Sequence, residues 1–429
     1  MSKCRDVSLQ KKKKLNIGFV STRVAGTDGV SLEIGKWADV LTQMGHECFY
    51  FTGLSDRPAE RSVVVEEAFF LNDEIFSLTQ ALFDTYTRSD DTTATIHRLS
   101  QHLKDRLREF IDRFDIDILI AENALSLPVN IPLGLALTEL IAEDDICTIG
   151  HHHDFWWERT RYLRSAAGDF LRAAFPPALH QVTHVTINTY AARELAWRTG
   201  LSSTVVPNVM DFEDPPPPPD EVTAQVRKVM GIPEGAHFIL QPTRIVPRKR
   251  IEHAIELVRR LGEPAVLLIT HASGDEGNEY QHYLAETAQL LGVDVRFGEH
   301  RFNHKRGVLP DGSPVFSLRD AYQSADLVTY PSAVEGFGNA FLETIYYRRP
   351  LVMSAYGIFR IDIQPKGFEV VAFEDFVDDA TVEAARELLH SPEKVAEMTE
   401  RNYEIARRYF GFSTLERNLD YLLRHRFGS

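Results

Sequence analysis

Cysteine is scarce: Cys4, Cys48 and Cys147 are the three present in 429 residues. That number is too small for a disulfide-stapled scaffold, the spacing matches no metal-ligand pattern, and a reducing, cytoplasmic setting is the expectation that follows. Long apolar runs are missing too. Behind Lys11–Lys14 the run Leu15–Val20 is cut by Ser21, Thr22 and Arg23, too early for a secretory leader, and no later run approaches the roughly 18 apolar residues of a membrane helix. Positive charge is in deficit, with 47 Lys and Arg against 62 Asp and Glu and a formal net charge of −15. This balance argues against a broad nucleic-acid or anionic-membrane surface and for a small-molecule partner. Gly-x-Gly-x-x-Gly, a phosphate loop ending in Gly-Lys-Ser/Thr, and Gly-x-Ser-x-Gly are all absent. A nicotinamide dehydrogenase, a nucleoside triphosphatase and a serine hydrolase are thereby disfavoured.

What is present is ordinary globular material, 44% hydrophobic and 25% charged, enough for two or three cored domains at roughly 150 residues each. Leu15–Val20 reads as a buried first strand, followed by the loop Ala25–Val30 and a helix from about Ser31 to Met44. Further strands are expected at Phe49–Phe51, Ile116–Ala121 and Ile146–Ile149, with a charged amphipathic helix over Ile96–Phe114. Five consecutive prolines, Pro215–Pro219, can continue neither helix nor central strand and mark a stiff connection. A second strand–helix series begins at His237–Thr243 and runs through Ala265–Thr270, Val293–Phe297, Ala325–Tyr330, Leu351–Ser354 and Val370–Phe373. The expected fold class is therefore α/β, two parallel-sheet halves with a ligand cleft at strand C-termini. The domains read as 1–212, a proline-rich linker 213–222, a second domain 223–405, and a C-terminal helix 406–429 returning to the first domain.

Three segments could carry chemistry. Arg244-Ile-Val-Pro-Arg-Lys249-Arg250 sits between a strand and a helix, where a guanidinium fork, an ammonium and a helix N-terminus suit a diphosphate, although a solvated basic turn has the same composition. In Glu335-Gly336-Phe337-Gly338-Asn339 and on to Glu343, the glycines allow close backbone approach and the two carboxylates can accept from ligand hydroxyls. The third is His151-His152-His153-Asp154, followed by Trp156 and Trp157. Three successive histidines cannot all face one point and fit no usual zinc spacing, so no metal site is expected. One of them could orient a substrate hydroxyl or a leaving group, and the tryptophans either stack on a sugar or pack in a core. Asp28 and Gly29 follow the first strand, where a backbone amide could reach an acceptor or phosphate. Asp115-Ile-Asp117 reads as a polar strand entrance.

In this order the motifs resemble the retaining glycosyltransferases of family four, which have two facing Rossmann-like domains (the GT-B architecture) around an interdomain active-site cleft. The resemblance covers nearly the whole chain and is strongest over Ser324–Glu343, with support from Val206-Pro207-Asn208. It implies that Arg244 and Lys249 clamp a donor diphosphate, that Glu335 faces hydroxyls of the transferred sugar, and that Glu343 binds the ribose of its nucleotide. It places Gly336, Phe337, Gly338 and Asn339 beside sugar and diphosphate, Asp28 and Gly29 in the N-terminal loop, and His153 at the reaction centre. The paired glycines usual in that N-terminal loop are not present, and Arg250 stands where a glycine often follows the lysine. The implied activity is a hexosyltransferase using a nucleoside diphosphate sugar, UDP-glucose or GDP-mannose, and a small soluble hydroxyl acceptor, with no cofactor, no metal and no nucleic-acid partner. A glycoside phosphorylase and a catalytically silent nucleotide-sugar binder are the alternatives.

Overall fold

The computed structural model describes residues 14–26, 28–272, 277–303 and 305–427; Cys4 and Lys11–Lys13 lie outside them. The chain forms two units, one of residues 1–209 with 412–429 and one of residues 210–411.

The first unit is built on seven parallel strands: β1 (Asn16–Val20), β2 (Glu47–Thr52), β3 (Ser62–Val64), β4 (Ile118–Glu122), β5 (Cys147–His152), β6 (Val182–Thr186) and β7 (Ser203–Val205), in the order β3-β2-β1-β4-β5-β6-β7. A parallel sheet needs cover on both faces. One core unites Phe19 and Ile120 with Ile34, Trp37 and Leu41 of the helix Gly29–Gln43 and with Leu415, Leu419 and Leu422 of the helix Phe412–Phe427. The other packs Leu103, Leu107 and Phe110 of the helix Asp90–Phe114 against Leu133, Leu137 and Leu140 of the helix Ile131–Asp144. The helix Asp90–Phe114 starts where the Ser89 hydroxyl accepts from the Thr92 amide at 3.1 Å and stops where Asp115 turns left-handed at φ 48°, a cap at each end. Asp117 accepts from the Asn16 amide at 2.9 Å, so it serves the entrance of β4. The short strands β3, β6 and β7 escape the apolar-run reading; β6 alternates with Thr and His, and β7 is Ser-Thr-Val.

The second unit contains β8 (His237–Gln241), β9 (Ala265–Ile269), β10 (Asp294–Phe297), the small strands β11 (Phe302–Asn303), β12 (Gly307–Val308) and β13 (Pro314–Ser317), then β14 (Leu327–Tyr330), β15 (Leu351–Ser354) and β16 (Val371–Phe373). Its six-stranded parallel sheet runs β10-β9-β8-β14-β15-β16, with β11-β13-β12 separate. Strand order reverses between β8 and β14 here, and between β1 and β4 in the first unit, which are the positions where open α/β sheets bind ligands.

The prolines belong to the second unit and are tied to it rather than forming a free connection. Gln323 Nε2 donates to the Pro217 carbonyl at 2.7 Å, Arg319 Nη2 to that of Pro218 at 3.0 Å, and the Tyr346 hydroxyl to that of Asp214 at 2.8 Å. Cys48 is free and buried, its thiol pushed up to about 12 by burial. Cys147, on β5, is buried as well. Among the described residues, no helix is long and apolar enough to cross a membrane.

Candidate active site

In the second unit the expected residues gather on the loops that leave β8 and β14. The ends of these strands are tied together: Thr329 Oγ1 donates to Gln241 Oε1 at 2.8 Å, and Gln241 Nε2 donates to Thr243 Oγ1 at 2.7 Å. Arg244 comes next and is exposed, and a single turn of 3₁₀ helix, Pro247–Lys249, carries the chain to Arg250. Arg250 has φ 50°, the left-handed region that favours glycine. The arginine is held there by its Nη2, which donates to the Asp375 carbonyl at 2.7 Å.

The Lys249 ammonium is buried and paired with the Glu335 carboxylate, while Arg248 Nη1 stands 3.6 Å from the other Glu335 oxygen. Burial opposes the Glu335 charge, but Lys249 and then Arg248 overcome it, and the carboxyl stays below its usual range. Burial in turn depresses Lys249, an effect that Glu335 opposes and that Arg248 and Arg244 reinforce. His271, one residue beyond the strand run Ala265–Thr270, is pushed down to about 4 by burial, then by Lys249 and Arg244. It is therefore neutral at pH 7 beside two cations, and its Nδ1 lies 2.9 Å from Thr270 Oγ1. Positive charge thus outweighs negative around this loop, a field that favours an anion.

Gly338 has φ 119°, and a Cβ there would lie 2.4 Å from the Tyr356 hydroxyl. That hydroxyl donates to the Phe337 carbonyl at 2.8 Å, so the turn admits only glycine. Phe337 points its ring inward, 5.2 Å from that of Phe410, leaving its backbone to the turn. The helix Asn339–Tyr346 follows with no side-chain cap, and Glu343 within it accepts from the buried Tyr322 hydroxyl at 2.8 Å. Arg244, Lys249, Glu335–Asn339 and Glu343 are thus carried by one unit, on two adjacent strands and their loops. Tyr322, Tyr356 and His271 were not anticipated.

His153, Asp28 and Gly29 lie in the other unit. Side chains alternate along a strand, so His151 and His153 share one side of the β5 end and His152 takes the other. His151 Nδ1 and His153 Nε2 both meet Glu122 Oε2, at 2.9 and 3.1 Å, whereas His152 Nε2 meets His184 Nδ1 at 2.9 Å. Two of the three histidines therefore converge on one carboxylate oxygen at the end of β4. Burial alone would raise the Glu122 carboxyl; His151 and His153 instead bring it down to about 2. An ionised carboxylate only accepts, so both rings donate to it. Burial lowers His151, while for His153 the bond to Glu122 outweighs burial and raises it. Asn123, at φ 58°, accepts the His153 amide at 2.9 Å and donates to Asp154 Oδ1 at 2.9 Å. The His151 ring stacks on Trp37 at 4.2 Å.

Asp28 caps the helix Gly29–Gln43 by accepting from the Ser31 amide at 3.2 Å, and its other oxygen pairs with Arg23 at 3.2 Å. Gly29 is the first residue of that helix. Trp156 donates Nε1 to the Phe175 carbonyl at 3.0 Å, and Trp157 stacks on Phe155 at 4.5 Å; both are half-buried. Two sets among the described residues, Glu122–His151–His153 and His237–Glu263–His390, bring three potential metal-ligand atoms within 4.8 Å of one another. In each, the two imidazoles are already engaged with one carboxylate oxygen.

Residues 222–405 match the family of glycosyl transferases group 1. The mannosylglucosylglycerate synthase of Thermotoga maritima is 33% identical over 94% of this chain and 98% of its own length, and that of Petrotoga mobilis is 31% identical over 83% and 86%. A glycosyltransferase crystal structure from Rickettsia africae superposes with a TM-score of 0.69 at 11% identity, covering 97% of this chain and 99% of that one, which bears on the fold alone.

Proposed function

Because the chain belongs to the group 1 glycosyl transferases of GT-B architecture, we propose that it is a retaining family four hexosyltransferase that moves a mannosyl group from GDP-mannose to a hydroxyl of a small hydroxy-acid glycoside, glucosylglycerate foremost. The sugar and acceptor come from the names of the two synthases that match over most of this chain; UDP-glucose is the second donor to test. The observation that carries the reading is the buried Lys249–Glu335 pair beside exposed Arg244 at the β8/β14 switch point.

In this reading Arg244, Lys249 and the amides around Gly338 hold the diphosphate and stabilise the charge that develops on it as the glycosidic bond breaks. A diphosphate entering beside Lys249 takes up part of the ammonium's charge, and the Glu335 carboxylate is then directed to the sugar hydroxyls as acceptor. Glu343, oriented by Tyr322, accepts from the ribose hydroxyls. His153 faces the reacting sugar. The acceptor hydroxyl attacks from the face the diphosphate leaves, its proton passing to a departing phosphate oxygen, so configuration is retained with no enzymatic nucleophile. The protein contributes orientation and a preformed field. No metal is needed in this scheme, and a cytoplasmic enzyme acting on soluble metabolites is the setting proposed.

The test is to incubate the protein with GDP-mannose, UDP-glucose, UDP-N-acetylglucosamine or ADP-glucose, each with glucosylglycerate, glycerate or glucose, and to follow nucleoside diphosphate release and product mass. GDP release with a hexose-sized mass gain on glucosylglycerate, an α-linked product by NMR, and on the order of 10- to 100-fold weaker donor use by Arg244→Ala are expected. Phosphate-dependent release of a sugar phosphate would replace the reading with a phosphorylase. Donor binding with no turnover on any acceptor would replace it with a silent module.

A further inference from the structure

Glu122 is an expensive residue for its position. It ends the otherwise apolar strand Ile118–Glu122 and is fully buried, and among the described residues no lysine or arginine pairs with it. Its Oε1 has no hydrogen-bond partner. A buried carboxylate with half its acceptor capacity unused is costly, and an apolar residue would serve the sheet better. What Glu122 does hold, through one oxygen, is the buried His151 and the less enclosed His153. Its Oε2 meets His153 Nε2 at 3.1 Å, and the neighbouring Asn123 accepts the His153 amide at 2.9 Å. Ring and main chain of one histidine are gripped by two consecutive residues of the adjacent strand.

We propose that Glu122 is the positioning residue of His153: it pins the ring through Nε2 and leaves Nδ1 as the nitrogen that addresses the substrate. The proposal rests on the reading of His153 as the histidine of the transfer site. The charges around the ring act in the same direction but unequally. Glu122 comes from β4, Glu33 from the helix Gly29–Gln43, and Asp154 from the histidine's own segment, all favouring the cation; His151 and His152 are its titratable neighbours on β5. Glu33 is itself paired with Lys36 at 2.5 Å, and Asp154 with Arg159, so the nearest uncompensated negative charge is Glu122.

The experiment uses full-length Glu122→Gln, which keeps shape and one acceptor and removes the charge. Histidine ¹⁵N NMR follows the His153 titration, and donor turnover is measured with and without His153→Ala. A fall of about one to two units in the His153 midpoint is expected, with the matching limb of the kcat/KM pH profile moving to lower pH. The variant's kcat drops on the order of 10- to 100-fold, and no further drop occurs when it is combined with His153→Ala. Glu122→Asp, charged but shorter, keeps the high midpoint and loses kcat, which also serves if the Gln protein folds poorly. An unmoved His153 midpoint, or an equal kcat loss in the His153→Ala background, would overturn the proposal. Should the wild-type protein transfer nothing, the function reading fails while the NMR titration still decides the role of Glu122.

Discussion

Replacing Lys249 with methionine removes the ammonium and keeps most of the side-chain volume. Glu335 is then a buried carboxylate whose remaining ion-pair partner among the described residues is Arg248, with Nη1 at 3.6 Å. Breaking a buried pair costs about 3–5 kcal/mol, and the remaining arginine, itself one-third exposed, offsets on the order of 1 kcal/mol of that. The expected loss is about 2–4 kcal/mol, which at an m-value of about 5 kcal/mol per molar guanidinium is a midpoint shift of about 0.4–0.8 M. The measurement can be made unit by unit, because Trp37, Trp156, Trp157 and Trp197, all the tryptophans of the chain, lie in the first unit. Tryptophan emission reports that unit, and near-ultraviolet tyrosine dichroism adds the second. Only the second should shift. Adding Glu335→Gln should recover most of the loss, since the unpaired charge is gone. The pH dependence has a definite sign. In the wild type the Glu335 carboxyl is held low, so its contribution is present above the unfolded value and is lost as pH falls through the folded one. In Lys249→Met the carboxyl rises, and the deficit shrinks as pH falls below that raised value. A single mutant as stable as wild type at pH 7, or a double mutant no better than the single, would refute the reasoning.

Gly338→Ala forces a left-handed residue and a Cβ 2.4 Å from the Tyr356 hydroxyl; it should cost about 1–3 kcal/mol and donor turnover, seen as a lower melting temperature and loss of nucleoside diphosphate release, while Tyr356→Phe in the same background relieves part of the clash. Asp320 is fully buried and, although burial pushes the other way, Arg306, Ser317 and Thr223 hold its carboxyl down to about 2. Its contribution, about 2 kcal/mol, is present above the unfolded value near 4 and lost as pH falls toward 2. Asp320→Asn should therefore flatten the acid limb of a stability-against-pH curve measured by denaturant titration.

The cluster in the second unit was legible in the sequence because its signals are local. Glycine before a helix, an arginine and a lysine on one loop, and two glutamates with seven residues between them all fall within short windows, and Gly338 carries the backbone conformation that its residue type suggests. The departure at Arg250 is explained by a tertiary contact, a left-handed turn held by a bond to the Asp375 carbonyl 125 residues on. In the first unit the arrangement around the three histidines was not legible. Glu122 lies directly across the β4–β5 ladder from His151, yet 29 residues away in sequence, and no local pattern gives strand neighbours. One signal was available: a lone acid closing the apolar run Ile118-Leu-Ile-Ala121. The alternation that sorts the three histidines follows from strand geometry, whereas their common acceptor needed the register. Tyr322 and His271 were missed for the same reason, since each meets its partners through tertiary packing.

The helix Phe412–Phe427 places Leu415, Leu419, Leu422 and Leu423 in the same core as Ile17 and Trp37. The first unit therefore cannot be completed by the residues that are synthesised first. A ribosome adding roughly 5–20 residues per second needs about 10–40 s to pass through residues 210–411 before that helix emerges. During this interval the apolar face of the helix Gly29–Gln43 waits for its last covering layer. The nascent chain is then most exposed to chaperones and proteases at its oldest part, and truncation of a few C-terminal turns should destabilise the first unit before the second.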